Sequence, residues 1–152
     1  MPKLELLLEY HADLKPPVAI GVGPLGNRQI FDVTGGTFEG PRLRGTIVPS
    51  GADWLLADAN GVGRLDVRAT FETHDGAFVY VQYYGIVVMN EKFTQALATG
   101  APSSYGDIYF MIQPRFETGD PRYAWLNSVV AVGEGRVLPN AVEYRVFEVQ
   151  NA

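Results

Sequence analysis

The sequence predicts an all-β protein: an antiparallel sheet of about eight strands closed into one barrel domain, with a single short helix. Three observations predict it. Apolar and polar residues alternate with a period of two through most of the chain, as half-buried strands require. Glycine-centred turn signals interrupt the alternation at regular intervals. Helical periodicity is confined to one short stretch after Met89. The domain is expected to span residues 1–152 without a linker.

Taken in order, the predicted strands run Leu4 to His11, Arg28 to Thr34, Leu43 to Pro49, Gly63 to Thr73, Ala77 to Met89, Ile108 to Phe116, Val129 to Gly133 and Ala141 to Val149. The clearest hairpin is Asp75-Gly76, between RLDVRATFET and AFVYVQYY, where Asp-Gly supplies the positive φ angles of a type I′ turn. Asn60-Gly61 and Gly35-Gly36 mark two further turns. The helix begins at Asn90 as N-cap, sets Phe93 and Leu97 on one face and stops at Gly100 before Pro102, forming a lid or plug. No repeat of solenoid period is present.

Composition supports a packed core. Of 152 residues 47% are apolar and 19% charged, with eight Phe, eight Tyr and two Trp. A chain of this length buries about 70% of its unfolded surface. A net charge of −5 argues against a nucleic-acid or anionic-membrane surface and favours a soluble partner or a small ligand. The absence of Cys excludes disulfides, thiolate nucleophiles and zinc–thiolate sites. Charges scattered through MPKLELLLEYHADL do not fit a signal peptide, no apolar run is long enough to span a bilayer, and the expected location is cytoplasmic.

Two apparent motifs lose their force in context. Gly21-Val-Gly23-Pro-Leu-Gly26 fits GxGxxG, yet a strand pattern follows it and Pro24 removes an amide from the turn. Asp58-Ala-Asn60-Gly61 lacks the closing glutamate of a calcium loop. His11 and His74 have no metal-binding spacing, and GxSxG is absent. No cofactor and no metal are expected.

Several strands carry charge on one face. Arg64, Asp66, Arg68, Thr70 and Glu72 oppose Leu65, Val67, Ala69 and Phe71; Arg42, Arg44 and Thr46 oppose Leu43, Gly45 and Ile47; Gln113, Arg115 and Glu117 oppose Ile112, Pro114 and Phe116. These charges either coat the outside of the barrel or line a polar lumen. Polar and aromatic side chains also concentrate in three expected loops: Gly35–Gly45 with Glu39, Arg42 and Arg44; Pro49–Trp54 with Asp53; and Phe116–Asn127 with Glu117, Tyr123 and Trp125.

The motifs FEGPRLRG, GADW, LDVR, DGAFVYV and FETGDPRYAWLN occur in this order, and with a closing VGEG they resemble the domain-of-unknown-function 3237 family, also called the UPF0311 type. The resemblance implies an antiparallel β barrel, no assigned activity and, for some members, a genomic setting in aromatic or secondary metabolism. Two positions depart from it: Tyr109-Phe110-Met111-Ile112 where many members have Tyr-Phe-Arg-Thr, and Ala69 where an aromatic often stands.

Two functions of different class follow. One is a cofactor-independent enzyme that isomerises, cyclises or hydrates a small, partly aromatic metabolite, with Asp53 or Glu39 as general acid/base and Arg68 or Asn127 meeting an oxyanion. The other is a non-catalytic carrier of a small hydrophobic ligand. In both, ligand contacts are expected from Trp54, Arg42, Arg44, Asp66, Tyr84, Tyr109, Glu117, Tyr123 and Trp125, with the Glu39, Asp53-Trp54 and Tyr123-Trp125-Asn127 loops converging at one barrel end. Apolar or aromatic side chains on both faces of Phe78–Tyr84 predict a homo-oligomer.

Overall fold

A computed structural model describes residues 1–152. Nine strands form one antiparallel sheet: β1 (Lys3–Leu14), β2 (Val18–Gly23), β3 (Gly26–Glu39), β4 (Arg44–Ala57), β5 (Val62–Thr73), β6 (Phe78–Val88), β7 (Phe110–Glu117), β8 (Ala131–Leu138) and β9 (Ala141–Gln150). Helix α1 (Glu91–Thr99) joins β6 to β7, and a 3-10 helix (Pro121–Ser128) joins β7 to β8. Neighbours run in the order β1-β9-β8-β7-β6-β5-β4-β3-β2, and β1 also pairs with β3, which closes eight strands into a barrel. No helix is long and apolar enough to cross a membrane.

Closure rests on the length of β3. Its second half pairs with β1, from Val33 opposite Leu14 to Glu39 opposite Glu9. Its first half pairs with β2, from Ile30 opposite Val18 to Gly26 opposite Gly23. One strand edge thus serves two partners in succession, and β2 lies outside the closed ring. The Gly21–Gly26 stretch is the hairpin carrying this extra strand, turned through Pro24-Leu25. The expected strands omit β2, since VAIGVG has no polar residue to alternate with its apolar ones.

The alternation holds where it is strongest. On β5 the side chains of Leu65, Val67, Ala69 and Phe71 are buried while Arg64 and Arg68 are exposed. The charged faces coat the barrel exterior and do not form a polar lumen. Asn90 accepts the Phe93 N–H at 3.0 Å as N-cap, and Gly100 ends α1 in the left-handed region at φ 68°. Both match expectation.

Turn chemistry misleads at three places. Gly35-Gly36 is not a turn: both residues lie inside β3 at φ 148° and 142°. Pro49-Ser50-Gly51 is a bulge within β4, where four steps from Ile47 to Gly51 face two on β5, so Asp53 and Trp54 belong to a strand and not a loop. At Asp75-Gly76 only Gly76 has positive φ, and its N–H donates to the Thr73 carbonyl at 3.0 Å; the connection is therefore not the type I′ turn expected.

The lower half of the barrel is filled. Phe38 stacks on Phe71 at 4.7 Å between ring centroids, and Phe71 meets Tyr10 edge-on at 5.3 Å. The 3-10 helix adds buried Tyr123 and Leu126 at that end. At the seam, a Cβ on Gly36 would overlap the His11 carbonyl oxygen of β1, whereas Gly23 has open space around it. Gly36→Ala should therefore cost about 2–4 kcal/mol in urea unfolding while Gly23→Ala stays within about 0.5 kcal/mol of the parent. Equal effects at the two glycines would show that the seam does not limit stability.

Candidate functional site

The upper half of the barrel is hollow. Inward positions of β1, β3, β4, β5, β6, β7, β8 and β9 enclose a cavity of about 180 Å³, and 17 of its 22 lining residues are hydrophobic. Its walls include Val33, Leu55, Leu65, Val67, Val87 and Phe110. Phe93 and Leu97 of α1 close over one side of the mouth, with Leu14–Pro17 and Leu138–Val142 forming the rest of the rim.

Cross-strand register sets the polar groups inside. Asp53 stands opposite Val67, and Val67 opposite Tyr83, so one inward row carries a carboxyl and a phenol two strands apart. Tyr10 stands opposite Tyr144 on the facing wall. The rows meet across the lumen: ring centroids lie 4.8 Å apart for Tyr10–Tyr144, 5.6 Å for Tyr83–Tyr144 and 6.4 Å for Tyr10–Tyr83. The Tyr10 hydroxyl is buried without a hydrogen-bond partner.

Asp53 is the lumen's lone carboxylate. Burial pushes its carboxyl up to about 7 from an ordinary value of 3.8. The Asp66 N–H, donating to Asp53 Oδ1 at 3.2 Å, opposes the shift; the nearby Asp66 charge adds to it, and the Arg28 guanidinium opposes it. Arg28 itself donates to the Trp54 carbonyl at 2.8 Å. Desolvation likewise raises Tyr10, Tyr83 and Tyr144 above the usual phenol range, and the Asp53 charge raises all three further. The arrangement is a proton donor of near-neutral pKa in an apolar chamber, flanked by phenols that stay protonated.

Of the residues expected to form the site, Asp53 alone lines this chamber. Trp54 points outward from β4 opposite Ile30, and Asp66 and Tyr84 lie in the same outer row. Arg68 is exposed on the outer face of β5, as is Glu117 on β7. Tyr109 precedes β7 and is 58% exposed. The expected convergence of three loops does not occur. At the filled end, the Arg42 guanidinium sits 3.8 Å over the Trp125 ring and pairs with Glu148, Tyr123 donates to Asp75, and Asn127 caps Thr118 with both amide atoms. These contacts tie loops together, away from Asp53.

Glu39 and Arg44 face each other across β3 and β4 on the outer wall, within an open groove of about 940 Å³. His11, Tyr105, Arg136, Glu143 and Arg145 share it. Much of its charge is internally matched: Glu143 binds both His11 and Arg136, and Arg145 pairs with Glu134. Tyr105 lies under Arg145 and Arg136.

Tyr83 and Tyr144 are the chamber residues that sequence reasoning missed, and Tyr10 packs its ring against theirs from below. A signal existed, since each occupies the buried phase of its strand, alongside Leu8 and Ala12, Val79 and Val81, and Val146. A buried Tyr needs a partner for its hydroxyl, and three in one core imply a polar spot inside it.

The architecture is that of a small closed antiparallel β barrel with an internal cavity. The family model for "Protein of unknown function (DUF3237)" matches residues 2–149, and the chain belongs to that family. It is 39% identical over 108 residues to a UPF0311 protein of Rhodopseudomonas palustris, covering 71% of each chain. The crystal structure of a β-barrel-like protein from Acinetobacter baumannii superposes with a TM-score of 0.85 at 38% identity, covering 99% of this chain and 97% of the other. An enzyme from Penicillium herquei shares the fold, with a TM-score of 0.72 at 23% identity over 98% of this chain and 95% of the other.

The raised carboxyl has a consequence for stability. Folded Asp53 keeps its proton to about pH 7, whereas the unfolded group releases it near 3.8. Between those values the folded state binds more protons, so stability falls as pH rises through the window. Asp53→Asn removes this penalty and keeps an acceptor for the Asp66 N–H. The variant should be more stable than the parent at pH 8 by about 2–4 kcal/mol, and the difference should shrink to near zero by about pH 4. Thermal melts across that range check it; a pH-independent difference would contradict a raised Asp53.

Proposed function

We propose that the barrel is a cofactor-independent proton-transfer catalyst that isomerises, cyclises or hydrates a small, partly aromatic metabolite inside the lumen. The observation carrying this reading is one inward carboxyl, Asp53, facing a cluster of tyrosines in a cavity otherwise walled by apolar side chains. Protonated Asp53 delivers its proton to an unsaturated or carbonyl centre of the ligand. The Tyr83 hydroxyl, in the same inward row as Asp53, donates to a ligand oxygen and holds the ligand in place while the proton moves. The ligand then returns a proton to the Asp53 carboxylate from another position, so the rearrangement consumes none. Hydration differs only in that water supplies the returning proton. Such chemistry needs neither hydride nor electron carrier. That a barrel of the same fold is an enzyme in Penicillium herquei supports a catalytic reading over a purely structural one.

Glu39, Arg68 and Asn127 have no part in this reading because they lie outside the chamber. Outward Phe78, Tyr80 and Tyr84 on β6, together with Val18, Ile20 and Val22 on β2, support self-association of the barrel through its outer wall.

The test is ligand discovery followed by isotope exchange. Single-ring aromatic metabolites are screened by thermal shift, and binders are incubated with the protein in deuterium oxide. Incorporation of deuterium at one ligand carbon is expected with the parent. It should fall about 10²–10⁴-fold in Asp53→Asn and on the order of 10²-fold in Tyr83→Phe. The parent rate should decline above about pH 7, where Asp53 loses its proton. Binding without exchange, unaltered by Asp53→Asn, would establish a carrier of a hydrophobic ligand instead.

A further inference from the structure

The lumen has a polar group at each end. Among its 22 lining residues the charged side chains are Asp53, inside, and Lys15, at the rim. We infer that the mouth recognises an anionic group, so that the ligand is a single-ring aromatic carboxylate with its ring in the lumen and its carboxylate at Lys15. This rests on the reading of the lumen as a ligand chamber and adds to it the class of compound admitted.

The volume sets the ring. A cavity of about 150 Å³ accommodates benzene, so 180 Å³ holds one aromatic ring and little more. Substituents must therefore lie along the axis of the mouth. Asp53 and the phenols of Tyr83 and Tyr144, all lining the cavity, make its inner end the place where a polar substituent of the ring is received.

The backbone holds the cation in place at the outer end. The Lys15 N–H donates to the Asp32 carbonyl at 3.0 Å, and the neighbouring Leu14 N–H donates to the Asn140 carbonyl at 2.9 Å. Pro16 and Pro17 follow directly and fix their own φ angles. Asn140, at φ 52°, turns β8 into β9 on the same rim. The Lys15 ammonium enters none of the protein's ion pairs, although Asp13 is close in the chain and Asp32 accepts its backbone N–H; Asp13 is engaged by His11 at 2.9 Å. An unpaired cation beside an apolar mouth, on a chain of net charge −5, is a local reversal of the protein's field. A carboxylate projecting from the lumen meets that cation while its ring displaces water from the walls.

Cinnamate and methyl cinnamate separate the two contributions. Both are titrated against parent protein, Lys15→Ala, Lys15→Glu and Asp53→Asn by calorimetry, with NMR shifts at Val67 and Tyr144 reporting lumen occupancy. The parent should bind cinnamate more tightly than the ester, with affinity falling as NaCl rises from about 50 to 500 mM. Lys15→Ala should weaken cinnamate about fivefold or more, Lys15→Glu further, and neither should change the ester by more than about twofold. Lys15 is exposed, so unchanged melting temperatures are expected and confirm folding. If the ester binds in the lumen but Lys15→Ala leaves cinnamate affinity unchanged, the anion site is wrong and the chamber stands. If neither compound shifts Val67 or Tyr144 in any variant, the chamber reading fails together with it.

Discussion

The close approach of β1 to β3 is the contact on which the rest of this protein depends. Without it the sheet is open, with an edge at each side and no interior. With it, eight strands enclose a space whose inward side chains are withdrawn from water, and the phase of every strand acquires a meaning. The approach is backbone to backbone, and Gly36 is where it is tightest, since no side chain fits between its Cα and the His11 carbonyl. Gly36, which the sequence offers as half of a chain reversal, is in fact where the ring closes.

Closure divides the interior unequally. Toward the 3-10 helix, Phe38, Phe71, Leu126, Val79 and Val81 fill the barrel. Toward α1 the inward residues are smaller or set back, and the space they leave carries Asp53 and the phenols. One end is plugged, and the chamber opens past α1, a helix with no buried residue whose polar ties are its Asn90 cap and the Lys92–Asp107 ion pair. Its weak attachment fits a lid, whereas the 3-10 helix, tied through Asn127, Asp120 and Tyr123, fits a plug.

How much of this was legible in the sequence depends on which physical signal each part uses. Strand phase is read from alternation, and β5 obeys it from Leu65 to Phe71 because one face packs and the other is wet. The caps of α1 are local hydrogen-bond chemistry, so Asn90 and Gly100 are legible too. Bulges are not. Pro49-Ser50-Gly51 uses the same residues as a turn, and only the partner strand reveals that the chain continues past it to present Asp53 inward. The site was half legible for a related reason: Asp53 stood out as a carboxyl beside a large ring, but Trp54 on the next pleat necessarily faces the other way. Clusters along the chain, such as Tyr123-Trp125-Asn127, turned out to bind their own loop. The groups that share a chamber, Asp53, Tyr83 and Tyr144, come from three separate strands, and no local pattern joins them.

The aspartates of this chain show why Asp53 is chemically distinct and not one more structural carboxylate. Asp58 is held low first by Arg64 and also accepts two backbone N–H groups in its turn. Asp75 is held low first by the Thr73 hydroxyl, Asp107 by the Ser104 N–H, and Asp120 by Arg122. Each caps a turn or loop, accepts several hydrogen bonds and is ionised more readily than a free carboxyl. Asp53 accepts one long hydrogen bond, has no ion pair and is shifted the opposite way by burial. The β3–β4–β5 ladder does not need a carboxyl there; Asn would accept the same N–H without a desolvated charge. A group that weakens the fold at neutral pH, set inside the hollow of the barrel, is what the proposed proton-transfer role requires and what the ladder by itself does not.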